Sequence, residues 1–170
     1  MMQLVIEMET ELPKRKPLRL RNYEYNTPGA YFITVCTKEK KLLFGPVGAD
    51  SISARIVKRT FEEVIKEYSC VECPIFTVMP NHFHALIVIA RADMQSAPTI
   101  SEIVQSFKRY STIEYVKLVK SGVLPPFDKQ IWQRSFYDHV IRNQKEYDEI
   151  YRYIEENPIK WELDKLYRVE

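Results

Sequence analysis

Apolar positions recur along the chain with two periods, and the switches between them predict its elements. After the turn signal Thr27-Pro28-Gly29, residues 30–37 (AYFITVCT) are β-branched and aromatic, which is strand composition. A charged turn at 38–41 and a break at Gly45-Pro46 follow. Ile52, Ile56, Val57, Phe61, Val64 and Ile65 then fall at helical spacing between Ser51 and Tyr68, one stripe of an amphipathic helix. Residues 75–78 read as a short strand, Pro80-Asn81 as a turn, 82–90 as another strand and 91–98 as a polar connection. Thr99 and Glu102 match a capping box that opens a helix. Its stripe of Ile100, Ile103, Val104, Phe107, Tyr110 and Ile113 runs to about Lys120, and Gly122 and Pro125-Pro126 end it. Residues 135–141 read as a fourth strand. Asn143 with Glu146 offers a second capping box, opening a helix through Tyr147, Ile150, Tyr151 and Ile154. Proline disfavours helix at the residue before it, so this helix ends at Asn157-Pro158.

The order β-α-β-β-α-β-α predicts an α+β fold: a ferredoxin-like split βαβ arrangement, a four-stranded antiparallel sheet with helices on one face, plus a C-terminal helix. At 170 residues, 45% hydrophobic and 28% charged, the chain has the size and composition of one globular domain. We divide it into an arm, residues 1–25, and a domain, residues 26–170. Four glycines leave no GxxxxGK spacing, which argues against ATP chemistry of that kind. The longest apolar run, 85–90, is far short of the ~20 residues a membrane span needs, and Glu7, Glu9 and Glu11 interrupt any leader-like segment. Three cysteines, an odd number, read as free thiols in a reducing cytoplasm; the single CxxC of Cys70 and Cys73 lacks the second pair a zinc site would need.

Net charge is only +2, yet Lys14, Arg15, Lys16, Arg19 and Arg21 crowd the arm, with Tyr23 and Tyr25 interleaved. Such a cluster is either an electrostatic arm for phosphates or a solvated tail. His82-Phe83-His84 is the sharpest chemical signal. On a strand, residues i and i+2 share a face about 6–7 Å apart, and two imidazoles there can converge on one divalent cation; the alternative is a pair of packed or surface rings. Tyr153 and Asn157 stand i, i+4 on the last helix, off its apolar line, where the tyrosine is reachable and the Asn oxygen can ligate a hard cation. A phenol with a pKa near 10 is a weak nucleophile at neutral pH. A cation held by His82, His84 and Asn157 would polarise a phosphodiester, and attack by Tyr153 would give a covalent phosphotyrosine that conserves the ester energy.

Residues 78–87 (VMPNHFHALI) resemble the His-hydrophobe-His motif of single-tyrosine transposases of small bacterial insertion sequences. The subgroup most resembled is the REP-associated tyrosine transposases, which act on repetitive extragenic palindromes. The blocks 26–37 (NTPGAYFITVCT), 132–143 (WQRSFYDHVIRN) and 147–158 (YDEIYRYIEENP) match in the same order. The resemblance implies a metal-dependent single-strand DNA endonuclease and strand transferase acting on hairpin DNA. By position it makes His82 and His84 the metal pair, Tyr153 the nucleophile and Asn157 the third ligand, with Mg²⁺ or Mn²⁺ as the ion. Many relatives of the wider class carry Gln where Asn157 stands. Tyr110, Tyr115, Tyr147 and Tyr151 read as packing residues, and His139 as an orienting or internal hydrogen-bonding group. Lys108, Arg109, Arg134 and Arg142, with Arg15, Lys16, Arg19 and Arg21 of the arm, are candidate phosphate contacts. A hairpin-binding protein that has lost cleavage is the alternative, and a nicking replication initiator a third reading. A homodimer is compatible with the class.

Overall fold

The structure is a computed structural model that describes residues 28–47, 50–90 and 97–168. The basic arm, with Arg15, Lys16, Arg19 and Arg21, lies outside the described residues. Four strands, β1 (Gly29–Cys36), β2 (Val71–Met79), β3 (His82–Ile89) and β4 (Tyr137–Ile141), form one sheet in the order β2-β3-β1-β4. Every pairing is antiparallel. Helix α1 (Ile52–Lys66) links β1 to β2 across β3, and α2 (Ile100–Lys120) links β3 to β4 across β1, giving two interleaved split βαβ units as the sequence order predicts.

Side-chain alternation explains the layering. Tyr31, Ile33 and Val35 of β1 and Phe83, Ala85, Ile87 and Ile89 of β3 point to one face, where α1 and α2 cover them. Phe61, Phe107 and Trp132 complete an aromatic core around Phe83, with ring centroids 4.6 Å (Phe61) and 4.9 Å (Phe107) from it. Ser51 caps α1, accepting from the Ala54 amide, and the Thr99–Glu102 capping box is complete at α2. The opposite residues of β1 and β3, including Thr34, His82 and His84, face α3 (Gln144–Glu156), which packs on β2 and β3. The site therefore lies on the sheet face away from α1 and α2.

The elements differ from the sequence expectation in four places. β2 starts at Val71 rather than 75; a bulge between Glu72 and Ile75 absorbs Pro74, which lacks a ladder donor. β4 starts at Tyr137, because the carbonyls of 133–135 turn to the Lys108 ammonium instead of a strand. In α2, Tyr110 and Ile113 are exposed, not packed: the buried line runs Phe107, Ser111, Tyr115, and at 100° per residue Tyr110 and Ile113 turn out of it. At α3 the Asn143 side chain accepts from the Glu146 amide as expected, but Glu146 reaches back to the Arg142 amide and to His139.

Candidate active site

Strand β3 places His82 and His84 on one face, their ring centroids 4.4 Å apart and both rings buried. Each is oriented by its neighbours. The Asn81 amide nitrogen donates to the Lys40 and Leu166 carbonyls, so its oxygen faces His82 Nδ1 at 2.8 Å. An oxygen there can only accept, so Nδ1 carries the proton and Nε2 presents a lone pair. His84 Nδ1 is engaged by Thr34 Oγ1, its cross-strand partner on β1, at 2.9 Å, which turns Nε2 toward α3. Burial lowers the His82 pKa to about 4 and the His84 pKa to about 3, His84 being pushed further by the charge His82 would carry; Asp164 opposes both shifts. At neutral pH both rings are neutral, the state a metal ligand requires.

Helix α3 brings Tyr153 and Asn157 to the same place. The Tyr153 hydroxyl lies 3.4 Å from His84 Nε2 and donates to Asp164 Oδ2 at 3.2 Å. Tyr153 as a residue is 44% exposed, so its side chain is not sealed in the core. Burial, then the charge and hydrogen bond of Asp164, push its pKa up to about 12. Asn157 is buried at the end of α3, its amide nitrogen donating to Asp164 Oδ2 at 2.7 Å. His82 Nε2 and Asn157 Oδ1 are both buried without a hydrogen-bond partner. Such orphaned acceptors are costly unless an electrophile sits between them.

Asp164 is the residue that sequence reasoning missed. It follows a short 3₁₀ turn (Trp161–Leu163), and no periodicity marks it. The ligand atoms of His82, His84 and Asp164 all lie within 4.8 Å of one another. Burial works to raise its pKa, but the bonds from Asn157 and the Leu166 amide and the nearby histidines carry it below the usual carboxylate range. Thr34 and Asn81, the two orienting residues, carried no signal either.

Tyr153 sits between two clefts. One, of about 300 Å³, is lined by Arg152, Glu156, Asn157 and Lys160; the other, of about 510 Å³, by Phe32, Gln133, Phe136 and Tyr137. Arg134 is exposed on the loop beside the larger cleft, and Arg142 is exposed at the start of α3. Arg109 lies over the Tyr110 ring and lines a separate cleft with Tyr68 and Glu102. The Lys108 ammonium is held by the carbonyls of Gln133, Arg134 and Ser135, and burial lowers its pKa to about 8. His139 pairs with Glu146 at 2.6 Å, away from the other histidines. Tyr115 is core, as expected, and Tyr147 and Tyr151 stack on each other. Cys73 donates to the Ile75 carbonyl and burial pushes its thiol up to about 12, so it is not a reactive thiolate.

A split βαβ sheet thus carries a buried histidine pair on the face that the tyrosine-bearing helix α3 covers. The chain belongs to the IS200-like transposase family, whose sequence model matches residues 29–157, from the start of β1 to the Asn157 position. It is 33% identical over 167 residues to an uncharacterised Haemophilus influenzae protein, covering 90% of this chain and 93% of that one. It is 24% identical over 136 residues to the REP-associated tyrosine transposase of Escherichia coli K12, covering 80% of this chain and 70% of that one. The structure of a REP-associated tyrosine transposase bound to a REP hairpin shares the fold, with a TM-score of 0.61 and 23% identity over 86% of this chain and 76% of that one. Among the described residues no helix is long and apolar enough to cross a membrane.

Proposed function

We propose that this transposase is a single-strand DNA endonuclease and strand transferase that acts on hairpin DNA, with Tyr153 as nucleophile. The observation that carries the reading is the Tyr153 hydroxyl 3.4 Å from His84 Nε2, beside two buried lone pairs with no partner. His82, His84 and Asn157 fit a divalent cation: two neutral imidazoles and an amide oxygen, a donor set suited to Mg²⁺ or Mn²⁺. Such a cation, when bound, supplies charge stabilisation for the phosphate oxygens.

The remaining chemistry belongs to the chain. Asn81 and Thr34 fix the two rings, and α3 holds the Tyr153 oxygen over them. The phenol gives up its proton to solvent as attack forms a bond from the Tyr153 oxygen to phosphorus and breaks the bond to the leaving strand oxygen, which takes a proton back from solvent and becomes a free hydroxyl end. A second strand's hydroxyl reverses the exchange, rejoining DNA without ATP. The aromatic cleft walls Phe32, Phe136 and Tyr137 suit unpaired bases, which stack on such rings. We place its work in the reducing cytoplasm, where the three cysteines stay thiols.

The test uses end-labelled single strands and hairpins from DNA flanking the gene, with Mg²⁺ or Mn²⁺. A denaturation-resistant adduct formed by wild type and lost in Tyr153→Phe is expected. An adduct that survives in Tyr153→Phe overturns the nucleophile assignment. Hairpin binding with no adduct favours a binding protein that does not cleave.

A further inference from the structure

We propose that Asp164 is a fourth protein ligand of the cation, so that the segment following α3 is part of the metal centre. The inference rests on the reading of His82, His84 and Asn157 as a cation site and adds to it the anionic donor that, among the described residues, clusters with both histidines. Three observations carry it. The first is position: a ligand atom of Asp164 lies within 4.8 Å of those of both histidines. The second is the state of the neighbouring atoms. His82 Nε2 and Asn157 Oδ1 are buried and unpartnered, while Asn157 uses its other end to hold Asp164 Oδ2 at 2.7 Å. The Asn157 side chain is thus fixed by its nitrogen on the carboxylate, which leaves its oxygen available as a donor to a cation.

The third is the scaffolding of the segment itself. The Leu166 amide donates to Asp164 Oδ1 at 2.6 Å, and the Leu166 carbonyl accepts from Asn81 Nδ2 at 2.8 Å. The Trp161 ring packs 5.7 Å from the His82 ring, and Tyr167 packs 5.2 Å from Trp161. Asn81 therefore orients His82 with one end of its amide and tethers the Asp164 segment with the other.

Charge explains why a fourth donor belongs there. His82, His84 and Asn157 are all neutral donors, so a divalent cation held by them alone leaves its charge unbalanced in a buried site. Hard cations are held through carboxylates wherever the site allows. Asp164 supplies one negative charge and oxygen character, which favours Mg²⁺ or Mn²⁺ over softer ions that two imidazoles alone would take.

Two measurements on the full chain test this. Mn²⁺ titration by calorimetry compares wild type, Asp164→Asn and His84→Ala, and anomalous diffraction from Mn²⁺-soaked wild-type crystals locates the ion. Expected are a loss of at least tenfold in Mn²⁺ affinity for Asp164→Asn, a larger loss for His84→Ala, and an Asp164 oxygen about 2.0–2.6 Å from the ion. Affinity within twofold of wild type in Asp164→Asn, with the carboxylate beyond bonding distance in the crystal, overturns the proposal while the histidine site stands. Absence of Mn²⁺ binding by wild type, or wild-type affinity in His84→Ala, overturns the cation site and Asp164 with it. The wild-type diffraction decides the matter even if Asp164→Asn folds poorly.

Discussion

Lowering the pH from 7 to 5 should sharply destabilise the metal-free protein, because it buries two neutral histidines. In the unfolded chain each titrates near 6.5, whereas in the fold burial holds His82 near 4 and His84 near 3. The folded values are depressed, so the unfolded state binds more protons across the window between them. Stability is full above about pH 6.5 and falls as pH drops through 5 toward the folded values. At pH 5 the unfolded chain is favoured by about 1.5 pH units per ring, which at 1.36 kcal/mol per unit is about 2 kcal/mol each and about 4 kcal/mol together. That is a large part of the roughly 5–15 kcal/mol that stabilises an ordinary domain. Urea unfolding in EDTA, followed by the fluorescence of Trp132 and Trp161, reads the change directly. A variant with both histidines replaced by Gln should lose most of the pH dependence between 7 and 5. Equal wild-type stability at the two pH values would refute the burial argument, since rings that titrate normally in the fold contribute no such slope.

Three further outcomes follow from named contacts. Asn81→Ala removes the donor to the Lys40 and Leu166 carbonyls and the acceptor for His82; it should cost about 1–3 kcal/mol in chemical unfolding and about 10–100-fold in Mn²⁺ affinity. Lys108→Met leaves three carbonyls without their cation and should lower stability by about 1–3 kcal/mol. The same variant separates a scaffold role from a phosphate contact: a salt titration of hairpin binding should keep its slope, whereas loss of a phosphate contact would reduce it by about 1. Phe83→Ala, at the centre of the Phe61–Phe107 cluster, should cost about 3–5 kcal/mol in the same unfolding assay, and a cost under 1 kcal/mol would contradict its place in the core.

The order of elements was legible because each depends on local pattern: the β-branched run of β1, the helical stripe of α1 and the Thr99–Glu102 box are all short-range signals. Tyr153, Asn157, His82 and His84 were likewise visible, as an i, i+4 pair and an i, i+2 pair, and the structure brings all four together. What the sequence hid was long-range. Asp164 reaches the histidines from a segment with no regular period, and Thr34 matters only because strand pairing sets it opposite His84. Lys108 reads from the sequence as a candidate phosphate contact, and only the fold reveals the three carbonyls around its ammonium. Tyr110 and Ile113 were misplaced because a stripe extended by threes drifts off the buried face of a long helix.

Strand β3 carries Phe83, Ala85, Ile87 and Ile89 toward the core and His82 and His84 toward α3. The two sets interleave residue by residue, so a slip of one position against β1 would send both imidazoles into the aromatic core and the core side chains out to the tyrosine. Such a slip forfeits the hydrophobic core at the same moment as the site. Any molecule stable enough to persist is therefore one whose histidines are correctly aimed, so folding itself acts as the proofreading step for the site.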